Sequence, residues 1–481
     1  MNRIQFPIKL LFLLLVLTCC EQKSKHWLYF DSKLKIHQDV DLISGELDQL
    51  DLSLEYYSEW LHAGTVLLSS EDKEALQKLK FITSIEPSQN IDFKPMSLGK
   101  EESMSFALEQ IGAESFVSAG LDGKGVKIGI IDGGFLDANI KGQLSHVFKH
   151  EKVKAYKDFI TPDLRQYGGS KYADDQHGTD VWTQVAGINE ERKVRFGLAP
   201  NAEYYLARTD DGRKEYRKEE EYLIEALEWM HKHGVKLVNI SLGYSIGFDN
   251  PSENYLPKHI NGSYTAVTRA AAIATDEKGM LLVVSAGNDG DNPFKVLSAP
   301  ADAKGVITVG ATNFKTWEKA SYSSQGPEQL DYIKPNVSCF ASSGTSFSAP
   351  VITGLAACIM QQDKSLTNLD IKSLIEQSSH LYPFGNNYVG YGVPNCKRLL
   401  KLTNNLSTLR PTFIKSIKRK LKMQLPDDEG FVVLFHKKDS VNVILQRRLP
   451  FEEGEVIISH PKEAKFTTLS FKDFVQEIAW E

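Results

Sequence analysis

The sequence predicts an α/β protein. Its largest part is a three-layer domain with a mostly parallel sheet, preceded by a small α+β domain and followed by a small β-rich domain. Between residues 104 and 402, short apolar runs alternate with longer amphipathic stretches. Such alternation is typical of parallel sheets with helices on both faces. The flanking segments lack it, and 481 residues exceed what one ordinary core holds.

Residues 1–20 have the pattern of an export signal. Basic residues precede an apolar run over residues 10–17 that is far shorter than the ~20 residues of a membrane-spanning helix. The run ends at Cys19 and Cys20, and polar residues follow at once. This resembles the lipidation signal of bacterial lipoproteins. We therefore expect an exported protein, anchored in the cell envelope by lipid on Cys19 or Cys20, with secretion without lipid as the alternative.

Residues 24–91 have the pattern of a compact α+β domain. A helix is predicted after Ser69, which forms a capping-box pattern with Asp72. Strands are predicted over residues 26–30, 63–68 and 81–85. Residues 92–103 are polar and irregular, so we expect a linker there.

The central region, residues 104–402, supplies the strands of the parallel sheet. They are predicted over residues 126–131, 202–207, 236–240, 281–285 and 306–310, with a helix over 219–233. Asp132 follows the first of these strands, and Asn288 lies just beyond the fourth. Because reactive residues gather at the carboxyl ends of parallel strands, we expect both to lie on one edge of the sheet.

Residues 405–481 change character and predict a small β-domain. Strands separated by turn residues are predicted over residues 431–435, 441–445, 456–458 and 466–471. A basic cluster precedes them, formed by Lys415, Lys418, Arg419, Lys420 and Lys422. We interpret this cluster as a solvated face.

Three short segments, far apart in the chain, each hold a residue that hydrolytic chemistry needs. They are IGIIDGG at 128–134, HGT at 177–179 and GTSFSAP at 344–350. Taken alone, Asp132 is an ordinary turn residue at a strand end, His177 an ordinary polar residue at a helix start, and Ser346 an N-cap. Together, Asp132, His177 and Ser346 supply an orienting carboxylate, a general base and a nucleophile. Asn288, after an apolar strand, supplies the side-chain amide that an oxyanion hole requires.

With these segments the chain resembles the subtilisin-like serine proteases, the subtilases. The resemblance covers roughly residues 100–400. Further matching segments are GKGV at 123–126, GLAP at 197–200, NISLG at 239–243, SAPA at 298–301 and YGVPN at 391–395. It implies a subtilisin-like three-layer fold and a serine endopeptidase that hydrolyses proteins or peptides.

The resemblance also implies roles for individual residues and segments. Asp132, His177 and Ser346 would form the triad, and Asn288 would be the oxyanion donor. Ser241, Leu242, Gly243, Ala286 and Gly287 would bind substrate. Residues 24–91 would be an inhibitor-like propeptide and intramolecular inhibitor, and 92–103 its processing region. An independent adaptor domain is the alternative for residues 24–91.

Two positions depart from the family pattern. Gly133 follows the aspartate where serine or threonine is usual, which would loosen the hydrogen bonding of the Asp132 carboxylate. Asp180 stands where the helix often carries a second histidine, which changes the charge near the base. Neither departure removes a catalytic atom.

Composition and motifs exclude other functions. A net charge of −6 gives no reason to expect nucleic acid as a partner. A nucleotide-binding α/β domain would need a G-x-G-x-x-G turn or P-loop after the first strand, and the chain has neither. A non-catalytic member of the family that binds peptides remains the alternative to an enzyme. All four positions that would carry the chemistry are intact in this chain, which argues against that alternative.

Neither the spacing of the cysteines nor any acidic loop indicates a metal site. Beyond the signal the chain has Cys339, Cys358 and Cys396, whose spacing offers no zinc site. Cys358 lies in an apolar run and is interpreted as a packed core thiol. Calcium is common in the family, but no loop has EF-hand spacing. No metal ligand is therefore assigned.

Overall fold

The computed structural model describes residues 24–31, 43–54, 56–58, 63–87, 103–162, 166–168, 174–404, 412–472 and 474–481. The predicted export signal, and all but the last residue of the predicted linker, lie outside these ranges. Within the described ranges, no helix combines the length and apolarity needed to cross a bilayer. The chain divides into two compact units, residues 1–97 and 98–481, each of which is described by itself.

The first unit has a four-stranded antiparallel sheet with strand order β2-β3-β1-β4. Its elements are β1 (Ser24–Phe30), α1 (43–48), β2 (Tyr56–Ser58), β3 (Ala63–Leu68), α2 (Ser70–Leu76) and β4 (Ile82–Pro87). The predicted capping box is present, because Ser69 Oγ accepts from the Asp72 N–H at 3.2 Å and Asp72 accepts from the Ser69 N–H at 2.8 Å. The predicted α+β pattern is confirmed.

The second unit is built on a seven-stranded parallel sheet with strand order β14-β13-β12-β11-β6-β10-β7. Its strands are β6 (Lys127–Asp132), β7 (Val153–Asp158), β10 (Glu203–Arg208), β11 (Leu237–Ile240), β12 (Leu281–Ser285), β13 (Ile307–Thr312) and β14 (Val337–Phe340). The five predicted strands are all present. A separate small sheet joins β5 (Ser103–Met104), β8 (Ile188–Asn189) and β9 (Val194–Arg195).

Helices cover both faces of the parallel sheet, as predicted. They are α3 (Phe106–Gln110), α4 (Glu114–Ser118), α5 (Ser145–Lys149), α6 (Asp174–Ala186), α7 (Lys218–Lys232), α8 (Ala266–Asp276), α9 (Ala349–Gln362), α10 (Asn368–Ser378) and α11 (Cys396–Thr403). Helices α6 and α9 pack in one core, whereas α7 and α8 pack in the other. Strand β6 serves both, because Ile130 enters the first core and Ile131 the second.

The cysteines of the second unit are core residues. Cys339, Cys358 and Cys396 are fully buried free thiols. Burial raises the pKa of the Cys358 thiol well above its usual value. The interpretation of Cys358 as a packed core thiol is confirmed.

The C-terminal region is a small β-domain, as predicted. Its strands are β15 (Thr412–Ser416), β16 (Lys420–Gln424), β17 (Gly430–Lys437), β18 (Val443–Phe451), β19 (Glu455–Ser459), β20 (Phe466–Phe471) and β21 (Phe474–Trp480). They form a five-stranded sheet, β15-β21-β20-β17-β18, and a β16-β19 pair. All five residues of the basic cluster are exposed.

The C-terminal sheet shares an apolar core with the α/β domain. Leu381 and Val389 from the α/β domain pack with Val433, Phe435 and Val443 from the sheet. All five side chains are buried. This C-terminal domain is therefore joined to the α/β domain by packing as well as by the chain.

Candidate active site

The carboxyl ends of neighbouring strands bring the predicted site residues to one edge of the sheet. Asp132 is the last residue of β6, and the 241–243 segment follows β11 directly. The 286–288 segment follows β12. Because β6, β11 and β12 are adjacent and parallel, these segments line up side by side.

Asp132 and His177 form a hydrogen-bonded pair. His177 lies in the first turns of α6, and its Nδ1 is 2.6 Å from Asp132 Oδ1. The Asp132 side chain is fully buried, whereas that of His177 is 27% exposed. An imidazole that donates from Nδ1 keeps Nε2 free of its proton. The pair thus has the geometry of an orienting carboxylate and a general base.

Gly178 allows helix α6 to approach β6 this closely. A Cβ atom at this position would lie 2.4 Å from the Gly134 carbonyl oxygen and 2.8 Å from Asp132 Cβ. Both distances are below any normal carbon contact, so a larger residue would push the helix away from the strand. The glycine of the HGT segment is therefore required by packing.

The second oxygen of the Asp132 carboxylate differs from the first. Oδ1 accepts from the Gly133 N–H at 2.8 Å as well as facing His177. Oδ2 is buried, and no described residue hydrogen-bonds to it. Gly133 carries no hydroxyl that could do so. This agrees with the expectation that glycine at this position loosens the hydrogen bonding of Asp132.

The charge of Asp180 is balanced by a neighbour. Lys141 Nζ lies 2.5 Å from Asp180 Oδ1, and both side chains are partly exposed. The sequence predicted a change in charge near the base, but the pair with Lys141 offsets the negative charge. Nothing in the sequence pattern pointed to Lys141.

Ser346 lies in a 3₁₀ turn, Thr345–Phe347, that precedes helix α9. The sequence predicted the serine at the helix start, but the helix begins three residues later, at Ala349. Ser346 is 9% exposed, and its hydroxyl donates to the Ser241 carbonyl at 3.2 Å. In return, the Ser241 hydroxyl donates to the Ser346 carbonyl at 3.0 Å. These bonds tie the serine turn to the segment after β11.

The Asn288 side chain is held against the same turn. Its Oδ1 accepts from the Thr345 N–H at 2.9 Å and from the Thr345 hydroxyl at 3.2 Å. The Thr345 hydroxyl also accepts from the Gly287 N–H at 3.0 Å. With its oxygen engaged, the amide directs its Nδ2 hydrogens elsewhere. The sequence predicted a donor at Asn288 but not this anchoring role of the oxygen.

A buried polar pair that the sequence analysis missed lies beneath the turn. Asn239 Nδ2 donates to Ser241 Oγ at 2.9 Å, and the Thr353 hydroxyl donates to Asn239 Oδ1 at 2.9 Å. All three side chains are buried. The signal available in the sequence was an asparagine within an apolar strand and a threonine within an apolar helix. The pair fixes Ser241 and, through it, the Ser346 backbone.

The segments predicted to bind substrate flank this centre. Leu242 and Gly243 are partly or fully exposed next to buried Ser241, and Ala286 is buried beside partly exposed Gly287. Gly287 has φ +102°, and a Cβ there would lie 2.4 Å from the Ser298 hydroxyl. Gly287 therefore meets a requirement of the backbone conformation, in addition to the substrate-binding role predicted from the sequence.

An aromatic cavity lies beside His177. The Phe347 ring packs on the His177 ring with centroids 5.6 Å apart. Phe347 also lines a cavity of about 380 Å³. Other lining residues include Phe106, Phe340, Lys141 and Asp180.

No metal site emerges from the described parts of the chain. Among those residues, no group of three or more His, Cys, Asp or Glu side chains is arranged to hold an ion. No ligand is assigned to calcium, which is common in the family that the sequence resembles.

Comparison with known proteins supports the family resemblance. A model of the subtilase family matches residues 123–392. M-protease of Shouchella clausii (strain KSM-K16) is 27% identical over 381 residues, which cover 76% of this chain and 87% of that protein. Minor extracellular protease Epr of Bacillus subtilis (strain 168) is 25% identical, covering 83% and 60%. The crystal structure of MycP1 from Mycobacterium smegmatis is 20% identical with a TM-score of 0.45, covering 63% of this chain and 86% of that one.

Proposed function

Because the chain belongs to the subtilase family of serine endopeptidases, we propose that Asp132, His177 and Ser346 are the triad with which it hydrolyses peptide bonds. The observation that carries this assignment is the 2.6 Å contact between Asp132 Oδ1 and His177 Nδ1, on the sheet edge where the serine turn also lies. Triads are recognised by such geometry and roles.

In the first step, Ser346 Oγ attacks the carbonyl carbon of the substrate and its proton passes to His177 Nε2. The hydroxyl first turns away from the Ser241 carbonyl, to which it donates in the free enzyme. Buried Asp132 stabilises the imidazolium that forms and keeps Nδ1 protonated. His177 then gives the proton to the leaving amine, and water repeats the sequence on the acyl enzyme.

The negative oxygen of the tetrahedral intermediate is stabilised by two donors. Asn288 Nδ2 is one, since its oxygen is already engaged with Thr345. The backbone N–H of Ser346 is the other. Donors held in place before the reaction contribute most, because they need no reorganisation.

The substrate binds as an extended strand. Ser241, Leu242 and Gly243 offer backbone groups to a peptide, and Ala286 and Gly287 line the opposite side. Addition of a strand to an exposed edge gives affinity through the main chain. The partial exposure of Leu242 and Gly243 is consistent with this role.

Replacement of Ser346 by alanine tests the assignment. Ser346→Ala should lose about 10⁶ of kcat, the loss seen for this change in a subtilisin, and should no longer react with a fluorophosphonate. Ser343→Ala, an exposed serine of the same loop, is the control and should retain activity. Residual activity of about a hundredth of wild type would refute the triad. Wild-type protein that binds peptides but neither cleaves them nor labels would favour the non-catalytic alternative.

We further propose that residues 24–91 are a propeptide that inhibits the enzyme until its removal. Their compact α+β unit, separate from the α/β domain, supports this role. Cleavage would be intramolecular, within residues 92–103. Ser346→Ala should then accumulate as a precursor that keeps residues 24–91. Processing of this variant at the same site, with no protease added, would exclude self-cleavage.

Export with a lipid anchor on Cys19 or Cys20 completes the proposal. It rests on the signal pattern and on the relative in Bacillus subtilis that is named an extracellular protease. Labelled fatty acid fed to an expressing bacterium should enter the protein and be absent from a Cys19→Ser/Cys20→Ser variant. Absence from both would indicate secretion without lipid.

A further inference from the structure

Arg208 connects three elements around the proposed catalytic pair. It is the last residue of β10, beside Asp132 in the strand register, and is 4% exposed. Its Nε donates to the Gly133 carbonyl at 2.8 Å. Its Nη1 and Nη2 donate to Asp158 at 3.1 Å and to Asp175 at 2.9 Å.

Two of the three partners of Arg208 lie next to the proposed catalytic pair in the chain. Gly133 directly follows Asp132, and Asp175 precedes His177 by two residues on α6. From these contacts we propose that Arg208 is a positioning residue, which sets the alignment of Asp132 with His177 and the charge around the imidazole. The inference rests on the proposed triad.

The guanidinium group suits this task for a physical reason. Its donors lie in one rigid plane and reach three acceptors in fixed directions, which a lysine ammonium cannot do. Desolvation disfavours the charged form, but Asp158 and Asp175 outweigh it and raise the pKa of Arg208 above its usual value. The group therefore remains a buried cation.

Arg208 also takes part in the electrostatic balance at His177. His177 pairs with Asp132 on β6, and the ion pairs on the elements next to this pair join Arg208 on β10 to Asp158 on β7 and Asp175 on α6, and Lys141 to Asp180 on α6. Removal of the Arg208 charge should favour the charged imidazolium form of His177. Removal of the Asp175 charge has the opposite effect.

Steady-state kinetics over a range of pH, on the processed enzyme, test the inference. Arg208→Lys and Arg208→Met should lower kcat by about tenfold or more with little change in KM, since misalignment affects the reacting groups and not peptide binding. The acid limb of kcat/KM should move to higher pH in Arg208→Met and to lower pH in Asp175→Asn, by about 0.3 pH unit or more.

Arg398→Met is the matched control. Arg398 is also a buried arginine of the α/β domain, and its Nη1 donates to the carbonyls of Ser378 and Ser379 at 3.1 and 3.0 Å. This variant should lose thermal stability and keep both kcat and the acid limb of the wild type.

Several outcomes would overturn the inference. If folded Arg208 variants match Arg398→Met in kcat and acid limb, Arg208 is only structural. If Arg208→Met does not fold, Asp175→Asn decides, because it removes one negative charge with little change in shape, and an unmoved acid limb refutes the proposal. Failure of the proposed function is distinct, since the wild type would then lack peptidase activity or Ser346→Ala would retain it.

Discussion

Substitution of Asn288 separates two roles that the structure gives to one amide. Its oxygen anchors Thr345 through two hydrogen bonds, and its nitrogen is the proposed oxyanion donor. Asn288→Leu removes both roles. Asn288→Asp keeps an oxygen for the Thr345 N–H and removes the donor.

The two roles have different magnitudes. Without the oxygen, the N–H of fully buried Thr345 lacks its partner, which costs about 1–3 kcal/mol and lowers the melting temperature by roughly 2–6 °C. Without the donor, the transition state loses about 2.7–4 kcal/mol, or 10²–10³ in kcat, as recorded for a subtilisin. Asn288→Leu should show both losses. Asn288→Asp should lose at least as much kcat while keeping most of the thermal stability.

Initial rates on a chromogenic peptide and thermal melting measure these quantities. Asn336→Leu is the control, because Asn336 Oδ1 likewise accepts a buried backbone N–H, from Thr308 at 2.8 Å, at the opposite end of the strands. It should lower stability and spare kcat. If Asn288→Leu raises KM but keeps kcat within about threefold of wild type, Asn288 is not an oxyanion donor.

Three further substitutions test other features of the fold and site. Gly178→Ala should force α6 away from β6, which should lower the free energy of unfolding by about 1–3 kcal/mol and also lower kcat. The control is Gly142→Ala, which has open space around it and should change neither thermal stability nor rate. Burial raises the pKa of Glu219 from 4.5 to about 9, so the contribution of this group to the free energy of unfolding is greatest below pH 4.5 and falls by up to about 1.4 kcal/mol per pH unit as pH rises to 9. Denaturant unfolding across this range should show a flatter dependence in Glu219→Gln, and an equal slope would contradict the shift. Lys437→Met should cost about 3–5 kcal/mol in thermal unfolding, because it leaves the Glu477 carboxylate, 2.8 Å away, buried and unpaired; adding Glu477→Gln should restore most of the loss.

Much of the proposed catalytic centre could be predicted from the sequence because strand ends are local features. An apolar run followed by Asp132 or Asn288 fixes where a buried strand stops, and parallel pairing then places both on one edge. No knowledge of long-range contacts is needed for that step. The observed boundaries of β6 and β10 differ from the predicted ones by one residue.

Other features depend on contacts that local patterns do not reveal. Strand β7 is partly exposed at the sheet edge and has mixed polarity, and the short β14 (VSCF) is interrupted by Ser338, so neither gives a continuous apolar signal. Arg208 binds residues 75, 50 and 33 positions away in the chain. A polar residue at a strand end can be recognised in the sequence, but its hydrogen-bonding partners cannot.

The core shared by the α/β domain and the C-terminal sheet has a consequence for self-digestion. The Asn387 carboxamide accepts from the Val443 N–H at 2.9 Å, and the Asn387 N–H donates to the Val441 carbonyl, so the backbones as well as the side chains are joined. A peptidase cuts segments that open into an extended strand. Here β17 and β18 open only when their apolar contacts to Leu381 and Val389 separate, which ties the susceptibility of these strands to autolysis to the loss of their packing on the α/β domain.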